Sequence, residues 1–120
     1  MRAVVRIFAI LGGLAAAPQA IAHAFLDHAS PRVGSTVHGP PAALKLWFTQ
    51  ELEPAFSTAR VLDKSGKPVD GGDARVDKSD RTLLQVALPP LAPGTYRVRW
   101  RVVSVDTHVT EGDFTFDVAP

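Results

Sequence analysis

Between Thr95 and Val103 the chain alternates without a break: Tyr96, Val98, Trp100 and Val102 fall on one parity, Arg97, Arg99 and Arg101 on the other. Successive side chains of an extended strand point to opposite faces, so one face of this segment is apolar and the other is charged. The scheme returns in Phe114, Phe116 and Val118 against Asp113, Thr115 and Asp117, and in Leu44, Leu46 and Phe48 against Lys45 and Trp47. Nowhere beyond residue 23 does a 3.6-residue period last more than a turn or two, which leaves strands as the dominant element. Further strands are expected over 24–29, 56–62 and 82–88. Ser30-Pro31, Gly39-Pro40-Pro41, Gly71-Gly72, Pro89-Pro90 and Pro93-Gly94 break the chain between these runs, and the segment 63–67 has the composition of a hairpin tip. Six or seven short strands so spaced predict an all-β domain, a small antiparallel Greek-key β-sandwich or barrel. The arginine stripe reads as a solvated face paired across strands with Asp113 and Asp117. Trp47 lies on the outward parity and is expected to be exposed.

The first residues follow a different pattern. Arg2 and Arg6 precede an apolar run from Ile7 to Ala17, and small residues close the stretch around Ala20-Ile21-Ala22. This is the form of a secretory signal peptide, and the run is short of the roughly 20 residues a membrane-spanning helix needs. The organisation expected is therefore a signal peptide over 1–22 and one domain over 23–120, exported to the periplasm. Removing the leader discards two arginines and no acid, taking the formal charge from +1 to −1. Neither value provides the basic footprint of a nucleic-acid binder. Cleavage after Ala22 makes His23 the first residue; Ala22-His23-Ala24 also has the small-x-small form, and cleavage after Ala24 would leave Phe25 first.

Zero cysteine and a single methionine, Met1, limit the chemistry. Thiolate catalysis, cysteine zinc sites, iron–sulfur clusters and blue-copper ligation are excluded. Histidine, carboxylate and hydroxyl remain. Asp106 and His108 are two apart in Ser104-Val105-Asp106-Thr107-His108, and an extended backbone would point both to the same side. Alone they form a weak metal motif. A terminal His23 strengthens it, because its α-amine and its ring Nδ1 form a chelate that an internal histidine cannot. The set is then an amine, two imidazoles and one carboxylate, suited to Cu(II) and next to zinc, with no sulfur to favour Cu(I). His28 and His38 read as surface or loop histidines, with Asp27 able to orient a nearby ring.

From His23 to Val118 the chain resembles the CopC family of exported bacterial copper-binding proteins. The resemblance rests on HAFLDHASPRVGS, on LWFTQELEPAFS, and above all on PGTYRVRWRVVSVDTHVTEGDFTF, where a Gly-x-Tyr-x-Val-x-Trp strand leads into Ser-x-Asp-x-His and Gly-x-Phe-x-Phe. It implies an immunoglobulin-like or cupredoxin-like sandwich. It also implies a Cu(II) site made by the amine and ring of His23 with Asp106 and His108, and so favours cleavage after Ala22. Three departures stand out. Thr107 takes a position where glycine is frequent, which ordinary extended backbone would tolerate. Gln50 stands where a glutamate is common, and neighbouring Glu51 should point the other way. The methionine-rich Cu(I) loop of some relatives has no counterpart.

The resemblance thus implies a non-catalytic periplasmic protein for copper resistance or homeostasis. It would act as a monomer, bind one Cu(II) per mature chain, release it on reduction, and sequester it or deliver it to a CopD-like copper permease of the inner membrane. Two other readings compete. A histidine-brace copper monooxygenase would share the terminal chelate, but Asp106 would close the position an oxygen species needs. A metal-free immunoglobulin-like binding module would need the fold alone.

Overall fold

The computed structural model describes residues 23–120; the signal-peptide reading of 1–22 falls outside the described residues. Eight strands form: β1 (Leu26–Ser30), β2 (Thr36–His38), β3 (Ala43–Phe48), β4 (Thr58–Leu62), β5 (Arg75–Val76), β6 (Leu83–Ala87), β7 (Gly94–Val103) and β8 (Val109–Ala119). They make two four-stranded sheets, ordered β1-β3-β6-β5 and β2-β8-β7-β4. The chain passes repeatedly from one sheet to the other, so neighbours in a sheet are mostly not neighbours in sequence. The architecture is an open sandwich, not a closed barrel.

The alternating runs fold as their pattern dictates. On β3, Leu44, Leu46 and Phe48 are buried; on β7, Tyr96, Val98 and Val102; on β8, Phe114, Phe116 and Val118. These inward side chains meet Leu84 and Val86 of β6 and Val61 of β4 in one continuous core. Tyr96 stacks on Phe116 with ring centroids 5.7 Å apart, and its hydroxyl donates to the Ala92 carbonyl at 2.6 Å. On the outer face of β7–β8, Arg97 pairs with Asp113 at 2.9 Å, Arg101 with Glu111 at 3.6 Å, and Asp117 accepts from Thr95. All three arginines are exposed, and Arg97 and Arg101 are cross-paired; the partner of Arg101 is Glu111, and Asp117 bonds Thr95 and no arginine of the stripe.

Two strands lie outside the sequence expectation. β2 contains His38, expected in a loop, and pairs with β8 in parallel, the one exception to the antiparallel pattern among the described residues. β5 has two residues. Strands of two or three residues show no alternation to read, and both are held at sheet edges by their neighbours. Trp47 is half-buried because the His28 ring stacks on it, 4.4 Å between centroids and 7° between planes. The hairpin tip forms as expected: the Asp63 carboxylate accepts from the Ser65 and Lys67 amides, and the Gly66 amide donates to the Asp63 carbonyl.

Trp100 explains a glycine. It lies opposite Gly112 across β7–β8 and packs edge-on against Phe48, centroids 5.1 Å apart. A Cβ at Gly112 would sit 2.5 Å from Cζ2 of the Trp100 indole. Gly112→Ala must displace the indole or part the strands, an overpacking cost of about 1–3 kcal/mol. Thermal melting is expected to show a lower Tm; a wild-type Tm would mean that the indole is free to move aside.

Candidate metal centre

The candidate ligands meet at one end of the sandwich, where β7 turns into β8 and the chain enters β1. His23 is placed by its neighbours. Ala24 is fully buried, and its carbonyl accepts the Thr110 hydroxyl of β8 at 2.7 Å. On the other sheet, the Thr49 hydroxyl accepts the Phe25 amide at 3.0 Å and donates to the His23 carbonyl at 3.3 Å, while the Thr49 amide donates to the Phe25 carbonyl. Residues 23–25 are thus tied to both sheets at once. The result is that the His23 ring lies 4.7 Å from the His108 ring, tilted by 33°.

Asp106 and His108 are organised around Ser104, a buried residue. The Ser104 amide donates to the His108 carbonyl at 2.9 Å and the Thr107 amide to the Ser104 carbonyl at 2.8 Å, closing a tight turn. Within it the Ser104 hydroxyl donates to the Asp106 carboxylate and accepts the His108 amide at 3.3 Å. Asp106 Oδ1 is also 3.2 Å from Nδ1 of His108. The Ser104 hydroxyl first, and His108 after it, hold the Asp106 carboxyl below its ordinary value. The turn is anchored from the opposite sheet's side by the Val105 amide, which donates to the Glu51 carbonyl at 3.0 Å, and by the Leu52–Ser104 bridge.

The expectation of an extended Asp-x-His therefore needs correcting. The two side chains converge, but through a turn in which Thr107 has φ of +73°. This left-handed backbone costs a β-branched residue about 1–2 kcal/mol. Glycine would avoid that strain at an entropic cost of about 0.5–1 kcal/mol. Thr107→Gly is expected to stabilise the protein slightly, raising the Tm by a few degrees; a fall in Tm would show that the Thr107 side chain compensates for its own strain.

The His23 ring lies against the His108 ring, and the Asp106 carboxylate lies beside Nδ1 of His108. Among the described residues no three His, Asp or Glu side chains are gathered into a ready-made metal cage. Nδ1 of His108 faces Asp106, so an ion bound at this histidine would displace that contact or use Nε2. His28 is elsewhere, its Nδ1 2.7 Å from Asp27 and its ring on Trp47, so Asp27 orients that histidine and not one of the pair. Sequence reasoning missed Thr49 and Thr110. Neither carries a ligand pattern, and only their long-range hydrogen bonds to residues 23–25 reveal them.

The CopC domain model matches residues 26–119. The chain belongs to the CopC family. It is 38% identical over 111 residues to protein YobA of Escherichia coli K12, covering 92% of this chain and 90% of YobA. The crystal structure of CopC from Methylosinus trichosporium OB3b superposes with a TM-score of 0.77 at 40% identity, covering 82% of this chain and 95% of that one. PcoC, a methionine-rich copper resistance protein from Escherichia coli, superposes with a TM-score of 0.69 at 36% identity over 81% of this chain and 99% of that one. The copper transport protein CutJ of Bacillus subtilis is 29% identical over 98 residues, 81% of this chain but 18% of CutJ. Unlike the methionine-rich PcoC, this CopC-family chain has Met1 alone.

Proposed function

We propose that this CopC-family protein is an exported, periplasmic Cu(II)-binding protein of copper resistance or homeostasis. It binds one ion per mature chain through the amine and ring of His23 with Asp106 and His108. The observation that carries the reading is the 4.7 Å approach of the His23 and His108 rings, with Asp106 beside His108. Processing after Ala22 fits this arrangement, since cleavage after Ala24 would remove a fully buried residue together with the hydrogen bond it accepts from Thr110. Nitrogen and oxygen donors without sulfur favour Cu(II) over Cu(I), with zinc the natural competitor. The role is binding and not catalysis, with Asp106 occupying a position that oxygen chemistry would need open. The cargo is sequestered or handed to a CopD-like inner-membrane copper permease.

Titration of protein beginning at His23 with Cu(II), followed by the visible d–d band, is expected to saturate at one equivalent. His108→Ala and Asp106→Asn should each weaken binding by more than the ~10–100-fold typical of losing an outer partner. Wild-type affinity in both variants would remove these residues from the site.

A further inference from the structure

β4 and β7 place two arginines face to face. Residues paired across an antiparallel ladder carry their side chains on one face of the sheet, and the register sets Arg60 directly opposite Arg99, with Thr58 opposite Arg101. Like charges so placed repel, and the ion pairs of this face leave the repulsion in place. Asp113, the residue across from Arg99 on β8, pairs instead with Arg97 at 2.9 Å; Glu111 pairs with Arg101, and the buried Asp70 with Arg60. Four guanidiniums thus meet three carboxylates, and exposed Arg99 is the one that forms no ion pair among the described residues. Arg60 is committed to Asp70 through Nε, so its two terminal nitrogens stay available. Over these side chains lies an open groove of about 510 Å³, whose lining includes Thr58, Arg60, Arg99, Arg101, Glu111 and Asp113. None of these is a candidate metal ligand, so the groove is a separate feature of the outer face.

We propose that this groove is a binding site for a phosphate group, held between the guanidiniums of Arg60 and Arg99, with the Thr58 hydroxyl two residues along β4 as a further donor. An anion seated there turns the Arg60–Arg99 repulsion into two attractions. The arrangement also selects the shape of the anion. One guanidinium fork satisfies both oxygens of a planar carboxylate. Two forks arriving from adjacent strands call for three or more oxygens that do not share a plane, and a tetrahedral phosphate presents them. Glu111 and Asp113 stand on the β8 side of the groove and repel a negative charge, which confines the phosphate to the β4–β7 side. Free inorganic phosphate and the headgroup of a phospholipid offer the same chemistry, and the test separates them. The site is independent of the copper reading, and protein that binds no metal is expected to keep it.

The test uses metal-free, isotope-labelled protein beginning at His23, titrated with inorganic phosphate at low ionic strength and followed by the NMR shifts of its backbone amides. Saturable shifts are expected over 58–60 and 99–101. Arg99→Gln should weaken binding about tenfold or more, as the loss of hydrogen bonds to a charged group produces. Arg75→Gln removes the same charge from β5 on the other sheet and should bind phosphate as wild type does. In a second arm the proteins are sedimented with phosphatidylglycerol vesicles. Sedimentation of wild type that Arg99→Gln loses assigns the site to a lipid headgroup; saturation by inorganic phosphate without sedimentation assigns it to the free anion. Absence of both kinds of binding overturns the proposal, as does binding undiminished in Arg99→Gln or weakened equally by Arg75→Gln, which would be general attraction to charge. Melting in phosphate-free buffer separates a ligand role from a structural one. Arg99→Gln should hold or exceed the wild-type Tm, because it removes the opposed charge; a lower Tm would show that Arg99 holds the strands together and would overturn the proposal.

Discussion

Protein that begins at His23 is expected to bind Cu(II) at least ~100-fold more tightly than the same protein with one extra residue in front, a gap exceeding the effect of most outer-shell substitutions. The extra residue turns the His23 nitrogen into a peptide nitrogen, which at neutral pH carries a proton it does not readily give up. One donor and the chelate ring are lost together. Nothing else at the site need change, because Ala24 and Phe25 remain tied to Thr110 and Thr49. Competition titration of the two proteins against a chromophoric chelator measures the difference. Acid should abolish the advantage: the amine and the imidazoles bind a metal only without their acid protons, so protons compete and binding weakens as pH falls. Equal affinities would show that the terminal chelate is not used.

The largest effect on stability is expected at Asp70, far from the ligands. Its side chain is buried, and its carboxylate accepts the Val61 amide at 2.8 Å, the Gly72 amide at 2.8 Å and the Arg60 guanidinium at 3.0 Å. Burial alone would raise this carboxyl, but the two amides and Arg60 together bring it below its ordinary value. Asp70→Ala leaves both amides without their acceptor and is expected to cost about 2–4 kcal/mol, a fall in Tm of about 10–20 °C. Arg60 contributes less to that loss, since its half-exposed side chain regains water. The pH dependence has a definite sign. A carboxyl whose folded pKa is depressed binds protons more readily when unfolded, so its stabilisation is present above the unfolded value near ~3.9 and disappears as pH falls through the folded one. Wild type should therefore lose stability below about pH 4 more steeply than Asp70→Ala. Parallel curves would assign acid unfolding to other carboxylates.

Much of the fold was legible because each long strand carries its own record of inside and outside. β3, β7 and β8 were readable to within a residue or a few from alternation alone, and the solvated arginine face followed from the same parity. What was not legible lacked such a local record. β2 and β5 are too short for a period, and the left-handed Thr107 arises from a turn that Ser104 closes, where simple extension was expected. The stacking of His28 on Trp47 depends on the pairing of β1 with β3, which places the two residues in register.

The sequence by itself determined the donor inventory and the strand faces: nitrogen and oxygen without sulfur, an Asp-x-His pair two residues apart, and apolar parities that must turn inward. Those are properties of composition and of neighbouring residues, which backbone geometry reads directly. Only the tertiary structure decided that His23 reaches His108. That approach depends on Thr110 holding the Ala24 carbonyl from 86 positions away, and on Thr49 holding the same segment from the other sheet. Packing two sheets face to face creates these contacts, and no local pattern of residues specifies which distant hydroxyl will be there to make them.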